Sequence, residues 1–482
     1  MASYHNHPQS ERGSQTYPQS MAYYVKSLES LTTGTFKIPA TTNSELTAHQ
    51  QFSVLLPTAA LIDTRGLRLN FQATTSGGFG RLPNNMSALF SSVDVNIGGI
   101  NVASVQEAGV LDQLHVNWGQ RVKDPVVEKD SVATNHSETD LADIPAAESY
   151  VFTNNKAYFS IPLCEFFSTI SPSCIATQFL PQIEIIFHLA GNSIIASPED
   201  KTDIAKFQGV NANQSTYSIK NYHVICPVMS IANNDYDALL QQTLMTRKSL
   251  ELVFKNWETF SDVFSATSRA SSSASSLDLM VCTFRKATAD ALKPLTNAYT
   301  GINGLIRVKG RNYDQATIGA NGISVTDDVL LTKGNNFQEF MVAPLTMTAP
   351  VPNAQLAGAT IQTTPEPMFQ FKINGTPQPS FNASLTEWYT LTKDAFGVKK
   401  SACTNLSEYF NNRFACAVRL NLKESQNQRI ISGLDLRQSN SSITFDLVNN
   451  AAYCNNADNI LIYLCNTARL IVGEGKQINV IN

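Results

Sequence analysis

Among the residues of this 482-residue chain that could do chemistry, glycine runs beside a cation come first, because backbone amides in such runs hold phosphates. Gly473-Glu474-Gly475-Lys476 is the nearest approach, but it lacks the spacing and the Ser/Thr of a phosphate loop and reads as a hairpin turn. Gly77-Gly78-Phe79-Gly80-Arg81 has the composition of an anion cradle, and after a strand-like run that composition is also plain turn chemistry. His5 and His7 have no Cys or carboxylate beside them to complete a metal site. His188 and His223 fall in strand-like runs, where a hydrogen-bonded sheet histidine is expected. Asp327-Asp328 lacks the further oxygen ligands of a calcium loop.

The cysteines, Cys164, Cys174, Cys226, Cys282, Cys403, Cys416, Cys454 and Cys465, show no two-residue gap of a zinc or redox motif, and they are expected as reduced core thiols. Sequons at Asn85, Asn135, Asn213, Asn374, Asn382, Asn405 and Asn440 follow from an Asn- and Ser-rich composition. Thr246-Arg247-Lys248 and Lys399-Lys400 read as solvated basic clusters. No His-Glu-x-x-His, Gly-x-Ser-x-Gly or Walker pattern occurs. The sequence therefore offers no catalytic residue, no cofactor-binding residue and no metal ligand, and it does not read as an enzyme.

Bulk properties point the same way. The net charge is −4 without a long basic run, so direct nucleic-acid binding is not expected. Ile460 to Cys465 and Ile183 to Leu189 are the longest apolar stretches, far below the ~20 residues of a membrane-spanning helix, and a soluble protein without transmembrane segments is expected. Charged residues make up only 15% against 43% hydrophobic, so much of the surface must be uncharged and polar. Such a surface costs less to desolvate against a neighbour than a charged one, which suits a subunit packed on many sides.

The elements that would position these residues are short strands. Leu67-Arg68-Leu69-Asn70-Phe71 and Val93-Asp94-Val95-Asn96-Ile97 alternate with period two, so each shows one face to a core. Phe52 to Leu56, Tyr158 to Leu163, Ile183 to Leu189 and Tyr222 to Ile231 complete a first set. A second set comprises Leu250 to Phe254, Leu277 to Phe284, Leu305 to Val308, Gln338 to Ala343, Met368 to Ile373, Cys416 to Leu422, Ile443 to Leu447, Ile460 to Cys465 and Leu470 to Val480. Helical spacing is expected in Met21 to Leu31, Val102 to Val116 and Tyr236 to Met245, the last with Leu239, Leu240 and Leu244 on one stripe. Ser265 to Ser276, Ala349 to Pro367 and Thr376 to Ser384 read as surface loops. The organisation expected is a mobile N-terminal segment over 1–35, β domains over 36–232 and 250–482, and a helical connector over 233–249.

Three runs carry a resemblance: Ser92 to Gly99 before the helix-like Val102 to Val116, Ile161 to Phe167 before Leu180 to Ile185, and Asn459 to Leu464 followed by Asn466 to Leu470 and Gly473 to Val480. In order and spacing they resemble the double jelly-roll major capsid proteins of nucleocytoplasmic large DNA viruses, virophages and polinton-like viruses. The resemblance implies an all-β chain of two consecutive eight-stranded jelly-roll sandwiches with short helical insertions. It further implies a homotrimeric capsomer with pseudo-hexagonal outline that tiles an icosahedral shell, with minor capsid or penton proteins as partners. The location implied is the virion, after synthesis in the host cytoplasm. The chain is short for that family. Two other classes stay open on sequence: a viral spike or receptor-binding β protein, and a lectin-like or carbohydrate-active β-sandwich enzyme.

Overall fold

A computed structural model of the chain describes residues 31–76, 86–118, 158–192, 216–231, 235–286, 368–396, 409, 414–422, 433–437, 442–447 and 458–482, leaving out 43, 165, 168, 173 and 264–266 within those spans. The first half holds β1 (Leu31–Pro39), β2 (Leu46–Thr47), β3 (Gln51–Leu55), β4 (Leu61–Asp63), β5 (Arg68–Ser76), β6 (Phe90–Ile97), β7 (Ile100–Gln106) and helix α1 (Ala108–Trp118). It continues with β8 (Tyr158–Pro162), β9 (Thr169–Ser171), β10 (Cys174–Ala176), β11 (Ile183–Leu189) and β12 (Thr216–Ile231). Helix α2 (Asp235–Arg247) precedes β13 (Ser249–Val263), β14 (Thr267–Ser271), β15 (Leu277–Lys286), β16 (Phe369–Ile373) and β17 (Thr376–Ala383). Helix α3 (Leu385–Ala395), β18 (Cys416–Arg419), β19 (Ser442–Leu447), β20 (Asp458–Gly473) and β21 (Ile478–Ile481) close the chain.

Both halves solve the same burial problem in the same way. In the first, β1-β12-β5-β8 form one sheet and β3-β11-β6-β7 the other, with β2, β4 and β10 extending the former. In the second, β13-β20-β15-β18 face β14-β19-β16-β17. Numbering each half's eight principal strands along the chain, both give the orders 1-8-3-6 and 2-7-4-5, the double Greek key of a jelly roll. Every pairing is antiparallel.

Alternation drives the strands inward as expected: β11 alternates buried and half-buried side chains along its whole length. Phe52, Phe71, Phe90 and Phe187 then meet in the first core, with Phe52 and Phe187 stacked at 4.9 Å. The second core is built likewise on Phe369, Phe371 and Phe445, and Trp388 Nε1 of α3 donates to the Phe369 carbonyl at 3.0 Å.

Several expectations are corrected. Residues 31–35 pair with β12 and so belong to the sheet, not to the polar N-terminal segment. Val102 to Gln106 finish a strand, and helical structure starts only at Ala108, because Val102, Ala103 and Val105 bury against the first core from an extended backbone. Thr376 to Ala383 is a strand, concealed by Pro377, Pro379 and a bulge opposite β16. Within Ser265 to Ser276 lies β14, whose inward residues Ser268 and Ala270 are too small to register as an apolar alternation. Of the stripe expected on α2, Leu239 is 58% exposed and Leu240 and Leu244 are half-buried, so it does not enter a core. Met21 to Ser30, Leu305 to Val308, Gln338 to Ala343 and Ala349 to Pro367 lie outside the described residues.

A buried carboxylate ties the second sandwich together. Asp278, 2% exposed, accepts from Lys255 Nζ and Ser276 Oγ at 3.1 Å each and from Thr467 Oγ1, so it bridges β13, β15 and β20. Its main-chain carbonyl accepts from Leu420 N at 2.8 Å. Gly433 lies so close that an added Cβ would overlap Ser276 Oγ. Removing the carboxylate would take the acceptor from the buried Ser276 and Thr467 hydroxyls and the counter-charge from Lys255. Asp278→Ala should therefore lower stability by about 2–4 kcal/mol in chemical denaturation at unchanged slope; a loss under about 1 kcal/mol would show that the network is not structural.

Candidate assembly interface

A second convergence of polar groups lies at the seam between the two sandwiches, and its members belong to elements distant in sequence. It begins where β7 turns into α1. There Glu107 takes a positive φ of 51°, and its carbonyl accepts from Leu111 N at 3.2 Å to start the helix. The same carbonyl accepts from Tyr463 OH of β20 at 3.1 Å, and the adjacent Gln106 carbonyl accepts from Thr259 Oγ1 of β13 at 3.2 Å. Two hydroxyls of the second sandwich thus read the backbone of the first at one corner.

Aromatic packing completes the contact. His115 meets Trp257 edge-on at 5.2 Å and Phe396 at 6.0 Å. Trp118, fully buried at the end of α1, stacks on Phe396 at 6.4 Å and touches Tyr389 and Tyr409. A strand also crosses: β9 pairs with β13 through Ser171 and Thr169, and Phe167 lies against Phe254. Gln178 Nε2 donates to Asp237 Oδ1, tying α2 to the first sandwich.

The seam leaves the two halves unequal. On β20 the side chains turned away from its own core, Leu461, Tyr463, Cys465 and Thr467, are buried. On β12 the corresponding His223, Ile225, Pro227 and Met229 are half-exposed. The outward surfaces of the second sheets instead match: Asp94 Oδ2 meets His188 Nε2 at 3.0 Å between β6 and β11, and Lys372 Nζ meets Asp446 Oδ2 at 2.6 Å between β16 and β19. Both pairs lie on the diagonal of the fourth and seventh strands, with the acid on opposite members.

Glu258, beside Trp257 on β13, has its carboxyl pushed above the usual carboxylate range by burial, a shift opposed by hydrogen bonds from Ser272 and Asn466. Burial pushes the Cys226 thiol up to about 12, so it stays un-ionised in the core. Cys282, Cys416 and Cys465 are also buried, Cys164 and Cys174 partly so.

Of the residues singled out by sequence, His188 has the partner just given and His223 Nδ1 pairs with the Asn221 carbonyl at 2.9 Å. Gly473 to Lys476 joins β20 to β21 as a hairpin, with Gly473 N donating to the Gln477 carbonyl at 2.7 Å and Gly475 at φ 72°. Arg247 and Lys248 are exposed at the end of α2, and Asn374 Oδ1 accepts from Ser442 N at 3.0 Å. Asn382 is exposed on β17. His5, His7, Gly77 to Arg81, Asp327-Asp328, Lys399-Lys400, Cys403, Cys454 and the sequons at Asn85, Asn135, Asn213, Asn405 and Asn440 lie outside the described residues. Among the described residues no group of three or more His, Cys, Asp and Glu is placed to hold a metal, and no helix is long and apolar enough to cross a membrane. The seam itself was missed by sequence reasoning. Its one local signal was Ser384-x-x-Glu387, a capping box whose two hydrogen bonds start α3.

The architecture, two double-Greek-key sandwiches in one chain, has counterparts among solved structures. The PBCV-1 virus capsid aligns over 96% of this chain and 98% of its own, with a TM-score of 0.53 at 11% identity. The chain shares its fold with viral capsid proteins. Faustovirus major capsid protein aligns over 95% and 94%, with a TM-score of 0.54 at 10% identity. A chain of the Sputnik virophage structure aligns over 96% and 90%, with a TM-score of 0.50 at 11% identity. No protein-family model and no curated protein sequence matches. At such identities the likeness is one of fold.

One outcome follows for the seam, and one for the opposite, inward face of β13. Trp118→Ala should cost about 3–5 kcal/mol, as loss of a buried aromatic does, and should expose Phe396 and Trp257 to solvent quenchers; an unchanged melting curve would remove α1 from the seam. Because burial raises the Glu258 carboxyl, its folded form is favoured at low pH and stability falls as pH rises through the carboxylate range toward neutrality. Glu258→Gln should flatten that fall, and identical pH profiles for the two proteins would show that Glu258 does not contribute.

Proposed function

We propose that this protein is a major capsid protein: a non-enzymatic building block that associates into three-chain capsomers of pseudo-hexagonal outline and, through them, an icosahedral shell. The observation that carries the reading is the repeated strand order, two jelly rolls of one topology fixed side by side by a buried seam. Two such lobes per chain and three chains give six similar lobes in a ring, and closed rotational symmetry is the ordinary way for copies of one chain to associate. The whole-length likeness in fold to the PBCV-1 capsid and to the Faustovirus major capsid protein supports it.

On this reading the first lobe takes in residues 31–35 and runs to 232, the second runs from Ser249 to the end of β21, the connector lies between them, and β9 is exchanged across the seam. Other copies are the first partner, minor capsid or penton proteins the second. The location is the virion shell, after synthesis in the host cytoplasm, and neither nucleic acid nor membrane is a direct ligand. Light scattering on the purified chain tests the association: the expected mass is three times the 52.7 kDa of one copy. A mass of one copy at every concentration would return the spike and carbohydrate-active readings to first place.

A further inference from the structure

We propose that the interior of the second sandwich holds a calcium-sized cation, bound by the side-chain oxygens of Asn256, Glu258, Ser272 and Asn466. The site lies within one chain and does not depend on the capsid reading.

Strand alternation places these residues. On β13, Asn256 and Glu258 turn into the sandwich, while Trp257 between them turns to the seam. On β20, Asn466 also turns inward and stands directly opposite Asn256 in the register. Asn466 Nδ2 donates to Glu258 Oε1 at 2.9 Å, and Asn256 Nδ2 donates to Asn482 Oδ1 at 3.4 Å. Both amides thus use their donors, and Asn256 Oδ1 and Asn466 Oδ1 are buried with no donor to accept from among the described residues. Asn466 is 0% and Asn256 7% exposed. Ser272, just past the end of β14, accepts from Ala274 N at 3.2 Å and gives its hydroxyl to Glu258.

Nothing in the topology calls for polar groups there. The first sandwich has the same strand order, and its eighth strand turns Tyr222, Val224 and Cys226 inward, with Val224 opposite Ile38 of β1. In the second sandwich the first and eighth strands meet through two asparagines instead. A buried carbonyl oxygen without a donor is costly, and a ligand that satisfies two of them at once offsets that cost. What the site has to spare is oxygen lone pairs, the donor set of a hard cation. A half-turn of the Asn466 amide exchanges Nδ2 and Oδ1 and brings a carbonyl oxygen beside Glu258. Burial pushes the Glu258 carboxyl above its ordinary range, and its partners Ser272 and Asn466 are neutral. Lys255, its near neighbour on β13, turns to the other face and pairs with Asp278. Calcium fits this set better than magnesium, since it accepts irregular arrangements of amide, hydroxyl and carboxylate oxygens and sheds water more readily. Glu258 is half-exposed, which gives the cation a way in. With one carboxylate the affinity falls at the weak end for calcium, on the order of 10⁻⁴–10⁻³ M.

Two measurements at neutral pH test the site: calcium bound per chain by equilibrium dialysis, and melting midpoints in CaCl₂, in MgCl₂ at equal ionic strength, and in EGTA. The wild type should melt higher in CaCl₂ than in either of the others. Glu258→Gln keeps the shape and removes the charge, so it should lose one bound calcium per chain and the calcium-dependent rise in midpoint with it. Asn466→Asp adds a second carboxylate beside the first. It should melt below the wild type in EGTA, through repulsion with Glu258, and should bind calcium at least about tenfold more tightly. Equal calcium binding by the wild type and Glu258→Gln, a wild-type midpoint that is the same in CaCl₂ and EGTA, or no tightening in Asn466→Asp would each overturn the assignment and leave the site to an ordered water. None of these results bears on whether the chain forms capsomers, which the mass of the particle decides separately.

Discussion

The structure depends on a backbone corner that two hydroxyls recognise. Where β7 ends, the Gln106 carbonyl stands beside the Glu107 carbonyl, which starts α1 by accepting from Val110 N and Leu111 N and keeps a lone pair for a further donor. Thr259 and Tyr463 donate to them from the other sandwich, and Trp118 and His115 pack beside the corner against Phe396 and Trp257. A hydrogen-bonded contact of this kind is directional, whereas apolar packing alone would tolerate sliding. It therefore fixes how the two lobes meet, and on the proposed reading as a building block that arrangement is the functional quantity.

Around that corner the two sandwiches repeat each other in topology and not in composition. Strand order, helix position and a diagonal ion pair recur, yet the acid of the pair changes strands, from Asp94 on β6 to Asp446 on β19. Such a repeat keeps backbone shape, which the proposed ring of six lobes would need, while leaving side chains free to differ. Each lobe meets a different environment: the outward face of β20 is covered within the chain, and that of β12 is left half-exposed.

Much of the fold was legible in the sequence because alternation is local. Val93 to Ile97 and Ile183 to Leu189 announce their inward faces in a handful of residues, and the jelly-roll order came from the resemblance carried by such runs. β14 and β17 were not legible, since one buries Ser and Ala and the other is interrupted by prolines. The helical reading of Val102 to Gln106 failed because spacing cannot separate the last turn of a strand from the first of a helix. The seam was invisible for a different reason: its hydrogen bonds join residues 153 and 356 positions apart, and no local pattern encodes them. Its polar members, Thr259, Tyr463 and His115, look in sequence like ordinary strand and helix residues.

The central claim is that the two sandwiches of each chain are interchangeable lobes of one ring. Electron cryomicroscopy of the purified particle, reconstructed without imposed symmetry, tests it most directly. The expected reconstruction has six lobes at one radius, alternating in detail and related by threefold symmetry. A particle with three lobes inside and three outside, or with the two sandwiches of a chain at unequal heights along the axis, would contradict it.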